Sequence, residues 1–332
     1  MTTWNVSPEA CRVHAASLVW DNHTCMPWAG LTDRLPELER HRRAGARVVS
    51  INVGDSERRL DDVVRVIAEL RAFLDANPEL YVRVGTLRDI EALQADDRLG
   101  VLFDVEGAFS IEDRLELVAL YYELGVRWMG FAYNRRNLVG GGCHDAADLG
   151  LSVFGRALVG EMDRVGLVKD CSHAGYRTAM DVLSGTDKPT IFSHSNPSAL
   201  CAHARNIPDD LIRACAATDG VICVNGVSLF LGGPPSADRI SEHAAYVAGL
   251  VGEDHVGLGL DYVFDTSEMD AVLSQNPQTW PVGGGYEQPI SFAPPELLPA
   301  ITEALLARGF SGAAAAKVLG GNLRRVAQRV WR

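Results

Sequence analysis

The 332-residue chain reads as an α/β protein built as a (β/α)8 TIM barrel, and three observations predict it. Eight short apolar runs recur, amphipathic stretches separate them, and polar titratable residues gather at the C-terminal ends of the runs. The runs span 17–25, 46–54, 98–107, 126–133, 166–173, 189–195, 220–226 and 255–264. They are rich in Val, Ile, Leu and Phe and alternate poorly, as strands buried on both faces do.

The stretches between them carry helical spacing. Over 60–76, Val63, Val64, Ile67, Leu70 and Leu74 recur at that spacing with charges between. Segments 111–124, 151–165 and 209–217 behave similarly, and Gly125, Gly166 and Gly220 follow helices where a left-handed cap favours glycine. A shorter helical pattern at 87–95, with Thr86 as its cap, interrupts the alternation. Eight strand-then-helix units in series predict a closed parallel barrel with right-handed crossovers. An open doubly wound sheet is the alternative, but no Gly-rich phosphate loop follows Cys25. The whole chain, 1–332, is expected to form a single domain, with a long loop at about 262–295 serving as a lid or an oligomer contact.

Composition narrows the function. At 47% hydrophobic and 22% charged the chain is ordinary globular protein. A net charge of −12 without a Lys/Arg cluster argues against a nucleic-acid partner. The N-terminus lacks a signal-peptide pattern, and no apolar run approaches the roughly 18 residues that cross a bilayer. Seven cysteines without a pattern suit a reducing cytoplasm, most of them as small core residues. The expectation is a cytoplasmic protein with no membrane partner.

The chemistry lies at the strand ends. The first run ends in His23-Thr24-Cys25, the third in Asp104-Val105-Glu106-Gly107, and the fourth at Tyr133. The fifth ends in Ser172-His173, the sixth in Ser193-His194-Ser195, and the eighth carries Asp261. In a barrel these ends converge on one mouth. His23 and Cys25, two residues apart on a strand, share a face. A single strand-end His is more often a structural group, and a buried Cys more often a small hydrophobe. His14, His41, His144, His203, His243 and His255 are read as surface or structural. Three His, a Glu, an Asp and a Cys at one end, however, make a metal site that can activate water. His23, Cys25, Glu106, His173 and His194, five potential ligands, exceed the needs of one four-coordinate ion, so a second ion with Glu106 bridging is natural.

The same residues, in order, resemble the membrane (renal) dipeptidases and their bacterial relatives. Asp21-Asn22-His23-Thr24-Cys25-Met26-Pro27-Trp28 is similar to that family's first-strand signature, D-G-H-N-D-x-P-W. The strand Asp104-Val105-Glu106-Gly107, the segment Tyr133-Asn134-Arg135-Arg136-Asn137, and Gly150-Leu151-Ser152-Val153-Phe154-Gly155 also match. So do Asp170-Cys171-Ser172-His173, Phe192-Ser193-His194-Ser195 and Arg205-Asn206-Ile207-Pro208-Asp209-Asp210. Gly257-Leu258-Gly259-Leu260-Asp261 and Gly320-Gly321-Asn322-Leu323-Arg324-Arg325-Val326 complete a match over about 17–327.

The resemblance implies a (β/α)8 barrel of the metal-dependent hydrolase type with a binuclear zinc centre; with Cys25 in place of a metal-binding Asp, the expectation is one or two zinc ions per chain. His23, Cys25 and Glu106 would hold one ion, and Glu106, His173 and His194 the other. Asp261 would take the proton of the attacking water and pass it to the leaving amine. Arg205 would grip the terminal carboxylate of a dipeptide-like substrate, as a guanidinium fork can. A homodimer is also implied. Two departures stand out: Cys25 replaces the family's metal-binding Asp, and Tyr133 stands where animal members have a His that helps bind the scissile carbonyl. A Tyr hydroxyl can donate the same hydrogen bond. Cys25 is open to two readings, a thiolate ligand or a buried thiol beside a site with one ion. Three functions follow: hydrolysis of dipeptides or dipeptide-like amides, hydrolysis of a non-peptide amide by a related amidohydrolase, or metal binding without catalysis.

Overall fold

The computed structural model describes residues 4–55, 58–93 and 96–332. Among the described residues ten parallel strands form one sheet: β1 (Trp20–Cys25), β2 (Val48–Asn52), β3 (Tyr81–Arg83), β4 (Leu99–Val105), β5 (Val126–Gly130), β6 (Val168–Asp170), β7 (Thr190–Phe192), β8 (Val221–Val224), β9 (Val256–Leu258) and β10 (Tyr262–Val263). The order β10-β1-β2-β4-β5-β6-β7-β8-β9 is a (β/α)8 ring. Its eighth stave is a strand in two pieces. β9 lies along β8, pairing Leu258 with Val224, while β10 lies along β1, pairing Tyr262 with Thr24. The eighth stave thereby joins the seventh to the first.

Seven of the eight expected strands appear whole, though shorter than their apolar runs; the eighth is the one in two pieces. β3 is additional. It pairs with the first part of β4, through Tyr81 and Leu99, before β5 takes over that edge. Three residues give too little pattern to announce a strand.

Alternation along β2 and β4 sorts the barrel into layers. Val49, Ile51, Val101, Phe103 and Val105 point outward into the core beneath the helices. Val48 and Leu102 point inward and pack with Trp20, Trp128, Val168, Ile191 and Val221. Helix Asn322–Val330 closes that end with Leu323, Val326, Ala327 and Val330. The next inward pair is polar: Ser50 Oγ donates to Asp104 Oδ2 at 2.5 Å. One layer higher, Asn52 Nδ2 donates to Glu106 Oε2 at 2.7 Å. The barrel thus runs from an apolar floor to a polar mouth.

The outer helices follow their patterns. Leu60–Ala76 buries Val63, Ile67, Leu70 and Leu74, while Val64, counted in the same stripe, is exposed. Val153–Val165 starts where the Ser152 hydroxyl accepts the Gly155 N–H at 2.9 Å, and ends at Gly166 with φ 92°. Asp209–Ala217 occupies its expected span. The 111–124 expectation is corrected: the helix is Leu117–Leu124, preceded by a 3-10 turn at Ala108–Ile111. The 87–95 pattern forms Leu87–Ala92 with the Thr86 cap, while residues 94 and 95 lie outside the described residues. Gly125 is left-handed as expected, but Gly220 is not. Asp219 takes the left-handed position at φ 62°, and a Cβ on Gly220 would meet the Thr190 carbonyl oxygen at 2.0 Å. Glycine serves close approach there. Of the cysteines, Cys171, Cys215 and Cys223 are buried and the other four half-buried, so fewer than expected are core residues.

The segment after β10 contains helix Thr266–Gln275 and a run of turns, and it roofs the mouth. Arg135 donates to Gln278 O, His144 Nε2 pairs with Tyr286 Oη at 2.8 Å, and His203 Nε2 bonds Gly284 O at 2.9 Å. The Glu268 carboxylate accepts the Trp28 and Ala29 N–H groups at 3.0 and 2.9 Å.

Two glycine positions test this account in opposite directions. A Cβ on Gly259 would sit 2.1 Å from the Ser193 carbonyl oxygen, whereas Gly160 has open space within its helix. Gly259→Ala should lower unfolding free energy by about 1–3 kcal/mol. Gly160→Ala should raise it by roughly 0.5–1 kcal/mol. Urea denaturation of both variants checks the pair.

Candidate metal centre

The strand-end residues meet at one mouth. His23 and Cys25 arrive on β1, Glu106 just past β4, His173 after β6, His194 after β7, and Asp261 in the break between β9 and β10. Glu106 Oε1 lies 3.3 Å from His23 Nε2, 3.0 Å from His173 Nε2 and 3.1 Å from His194 Nε2. The His173 and His194 Nε2 atoms are 2.9 Å apart. On the other side of His23, its Nε2 is 3.5 Å from Cys25 Sγ and 3.6 Å from Asp261 Oδ1. Cys25 Sγ is 3.7 Å from Asp261 Oδ1.

Each imidazole faces a polar group at its far nitrogen, by hydrogen bond for His173 and His194 and at ion-pair distance for His23. His23 Nδ1 is 3.2 Å from Asp104 Oδ1, His173 Nδ1 is 2.8 Å from Asn134 Oδ1, and His194 Nδ1 is 2.7 Å from Ser193 Oγ. The Ser193 hydroxyl donates onward to Asp170 Oδ2 at 2.8 Å. With protons assigned to the Nδ1 atoms by these acceptors, the Nε2 lone pairs converge. Asn52 holds Glu106 Oε2, and Asn225 Nδ2 holds Asp261 Oδ2 at 2.8 Å. Asp21 secures the break itself: its Oδ1 accepts the Leu260 N–H at 2.8 Å, and its Oδ2 pairs with His41.

The electrostatics call for positive charge. Burial opposes charge on His23, yet Asp104 and Glu106 hold its pKa well above the usual histidine value. Burial lowers His173 to about 3, with Arg205 adding to the effect, and burial with the nearby His23 takes His194 well below its ordinary value. Burial would raise Glu106, but the three imidazoles pull it well below the usual range. Burial lifts Asp104 and Asp261 each to about 6. It also pushes the Cys25 thiol and the Tyr133 hydroxyl up. Two neutral imidazoles whose lone pairs face each other at 2.9 Å repel, and a proton on His23 offsets the surrounding carboxylates. A divalent cation relieves both, since it takes the lone pairs and supplies the charge. The donor set fits one, with oxygen, nitrogen and sulfur ligands of the kinds zinc accepts.

Tyr133 and Arg205 border the same cavity, about 140 Å³ in volume. The Tyr133 ring stacks on His173 with centroids 4.1 Å apart. Arg205 is 3% exposed. Its Nη2 lies 3.1 Å from His173 Nε2 and 3.2 Å from His194 O, while its Nε is buried without a partner. All eight sequence-nominated residues therefore reach one site. The structure adds Asn52, Asp104, Asn134, Ser193 and Asn225 as the groups that orient them. Asn52 and Asn225 stand at the ends of β2 and β8, so the strand-end rule that picked out Glu106 could have found them.

This site sits in a chain that matches the membrane dipeptidase model, peptidase family M19, over residues 10–275. The chain belongs to that family. It is 30% identical to dipeptidase aclJ of Aspergillus oryzae over 82% of this chain and 60% of that one. An uncharacterized dipeptidase of Schizosaccharomyces pombe is 33% identical over 52% of this chain and 44% of its own. The chain thus spans between about two fifths and three fifths of the length of these curated relatives. A crystal structure described as an amidohydrolase from Pseudomonas aeruginosa superposes with a TM-score of 0.88 at 30% identity, covering 97% of this chain and 99% of that chain.

The imidazole partners offer a direct test. Asp104→Ala leaves the His23 Nδ1 unheld and should weaken metal affinity by about 10–100-fold. Competition with a chelator of known affinity, on wild type and variant, measures it.

Proposed function

We propose that the chain is a metal-dependent hydrolase that cleaves a dipeptide or a dipeptide-like amide into an amine and a carboxylate. The observation that carries this reading is the convergence of three Nε2 atoms on Glu106, with Asp261 and Arg205 bordering the same cavity. Zinc is the proposed ion, one or two per chain. Glu106, His173 and His194 would hold one; His23, Cys25 and Glu106 would hold the other. A bound divalent cation supplies Lewis acidity, which polarises an amide carbonyl and brings the pKa of water to about 7.

The chain's own residues supply the remaining steps. Asp261, its Oδ2 fixed by Asn225, takes a proton from the attacking water and returns it to the leaving nitrogen. Tyr133, with its proton retained by burial, donates a hydrogen bond to the carbonyl oxygen as charge develops there. Arg205, with an unpartnered Nε, pairs with the substrate's terminal carboxylate.

Membership of the dipeptidase family supports the substrate class. The 30% identical structure described as an amidohydrolase supports a second reading, a non-peptide amide as substrate. We further propose a single barrel domain over 1–332, a homodimer, and a cytoplasmic setting. Seven free cysteines support the last. No helix among the described residues is long and apolar enough to cross a membrane.

Two experiments test the reading. Purified protein should contain zinc, lose dipeptide turnover on chelation, and show a zinc-edge sulfur shell near about 2.3 Å that disappears in Cys25→Ser. Zinc without a sulfur shell would leave Cys25 a bystander. Turnover confined to non-peptide amides would select the second reading. Separately, Asp261→Asn should lower kcat by about 10²- to 10⁴-fold with metal content unchanged. Near-wild-type kcat would mean that another group moves the proton.

A further inference from the structure

We propose that Arg58 recognises a second anionic group on the substrate, so that the site prefers dipeptides with Asp or Glu as the N-terminal residue. The inference rests on the dipeptidase reading and deepens it.

Among the described residues lining the cavity, Arg58 and Arg205 carry the fixed positive charges. They stand on opposite sides. Arg58 follows β2, the second stave of the ring, and stacks its guanidinium 4.4 Å from the Trp28 ring centroid. Arg205 follows β7, the sixth of the eight staves, and leans on His173 and His194. The Glu106 and imidazole cluster lies between them. A dipeptide with its terminal carboxylate on Arg205 and its amide at that cluster directs its N-terminal residue toward the β1–β2 side, where Arg58 waits.

The Arg58 guanidinium is not used by the fold. Stacking on Trp28 fixes its plane; among the described residues its N–H donors have no hydrogen-bond acceptor, and its Nε is buried. Among the described residues it joins no ion pair, although its neighbour Arg59 pairs with Glu112. Two of the cavity carboxylates, Asp265 and Glu268, have other donors. Asp265 accepts from Arg34 at 3.2 Å and from Ser267, and Glu268 accepts the Trp28 and Ala29 N–H groups. The wall beyond them is apolar: Met269, Val272 and Ile290. A half-buried planar cation with open donors at one end of a cavity is matched by a carboxylate, which can accept two of its N–H groups at once. A neutral amide of the same shape loses the charge and one acceptor.

The test compares Glu-Ala with Gln-Ala and, alongside them, the reduced-amide analogues of both, whose CH2–NH link cannot be hydrolysed. Calorimetry on the metal-loaded enzyme gives analogue affinities, and initial rates give kcat/KM for the dipeptides. Wild type should bind the Glu analogue about tenfold more tightly than the Gln analogue, as for a charge-assisted pair. In Arg58→Gln that ratio should fall to about 1, and Arg58→Lys, which keeps the charge without the fork, should retain part of it. The kcat/KM ratio should follow the same order. Equal affinities in wild type, a preference that survives in Arg58→Gln, or no binding of either analogue overturns the proposal. A binding preference that depends on Arg58, without turnover of either dipeptide, supports the proposal while refuting the dipeptidase reading.

Discussion

The break in the eighth stave is the constraint on which the rest depends. β9 must follow β8, and β10 must follow β1, so the chain steps sideways between Leu258 and Tyr262. Gly259 passes so close to the Ser193 carbonyl that only a missing side chain fits. Leu260 hands its N–H to Asp21, and Asp261 hands its own to the His23 carbonyl at 3.0 Å. One step thus closes the ring and brings Asp261 over His23 and Cys25. Had the stave run straight, Asp261 would lie in register along one neighbour and away from the other.

Around that step the barrel works as a set of oriented dipoles. Imidazole rings are symmetric enough to turn, and a turned ring would present the wrong nitrogen. Asn134 and Ser193 each hold one Nδ1 by a hydrogen bond and Asp104 faces the third as an ion-pair partner, so rotation would break a buried polar contact at each ring. Their own fixation comes from lower in the barrel, through Ser50 to Asp104 and through Asp170 to Ser193. The polar layer between apolar floor and mouth is therefore a support for the ligands.

The sequence made much of this legible, for a physical reason. Strands buried on both faces need long apolar runs, and a polar residue ending such a run stands out. That contrast exposed His23, Glu106, His173, His194 and Asp261. It also framed the helix at Leu60–Ala76, whose four buried positions recur at the right spacing. What stayed hidden had weaker contrast. β3 is three residues long and paired only at the edge of β4. The break before Leu117 is hidden because Ile111 and Leu115 keep an i, i+4 helical spacing among charges, while the chain turns at Glu112 with φ 52°. Asn52 and Asn225 passed unnoticed because a neutral amide at a strand end looks like a turn residue until its partner, Glu106 or Asp261, is known.

The backbone at the mouth carries a further consequence. His173, Asp261 and Asn134 all adopt left-handed conformations, with φ of 64°, 56° and 58°. Asparagine, aspartate and histidine enter that region more readily than other side chains, yet each non-glycine residue there still costs about 1–3 kcal/mol. Glycine would rest there more comfortably, but glycine has no imidazole, carboxylate or amide to offer. The strain and the chemistry therefore occupy the same atoms, and the hydrogen-bonded ring beneath them must be stable enough to hold the chain in a shape it would relax from if left alone.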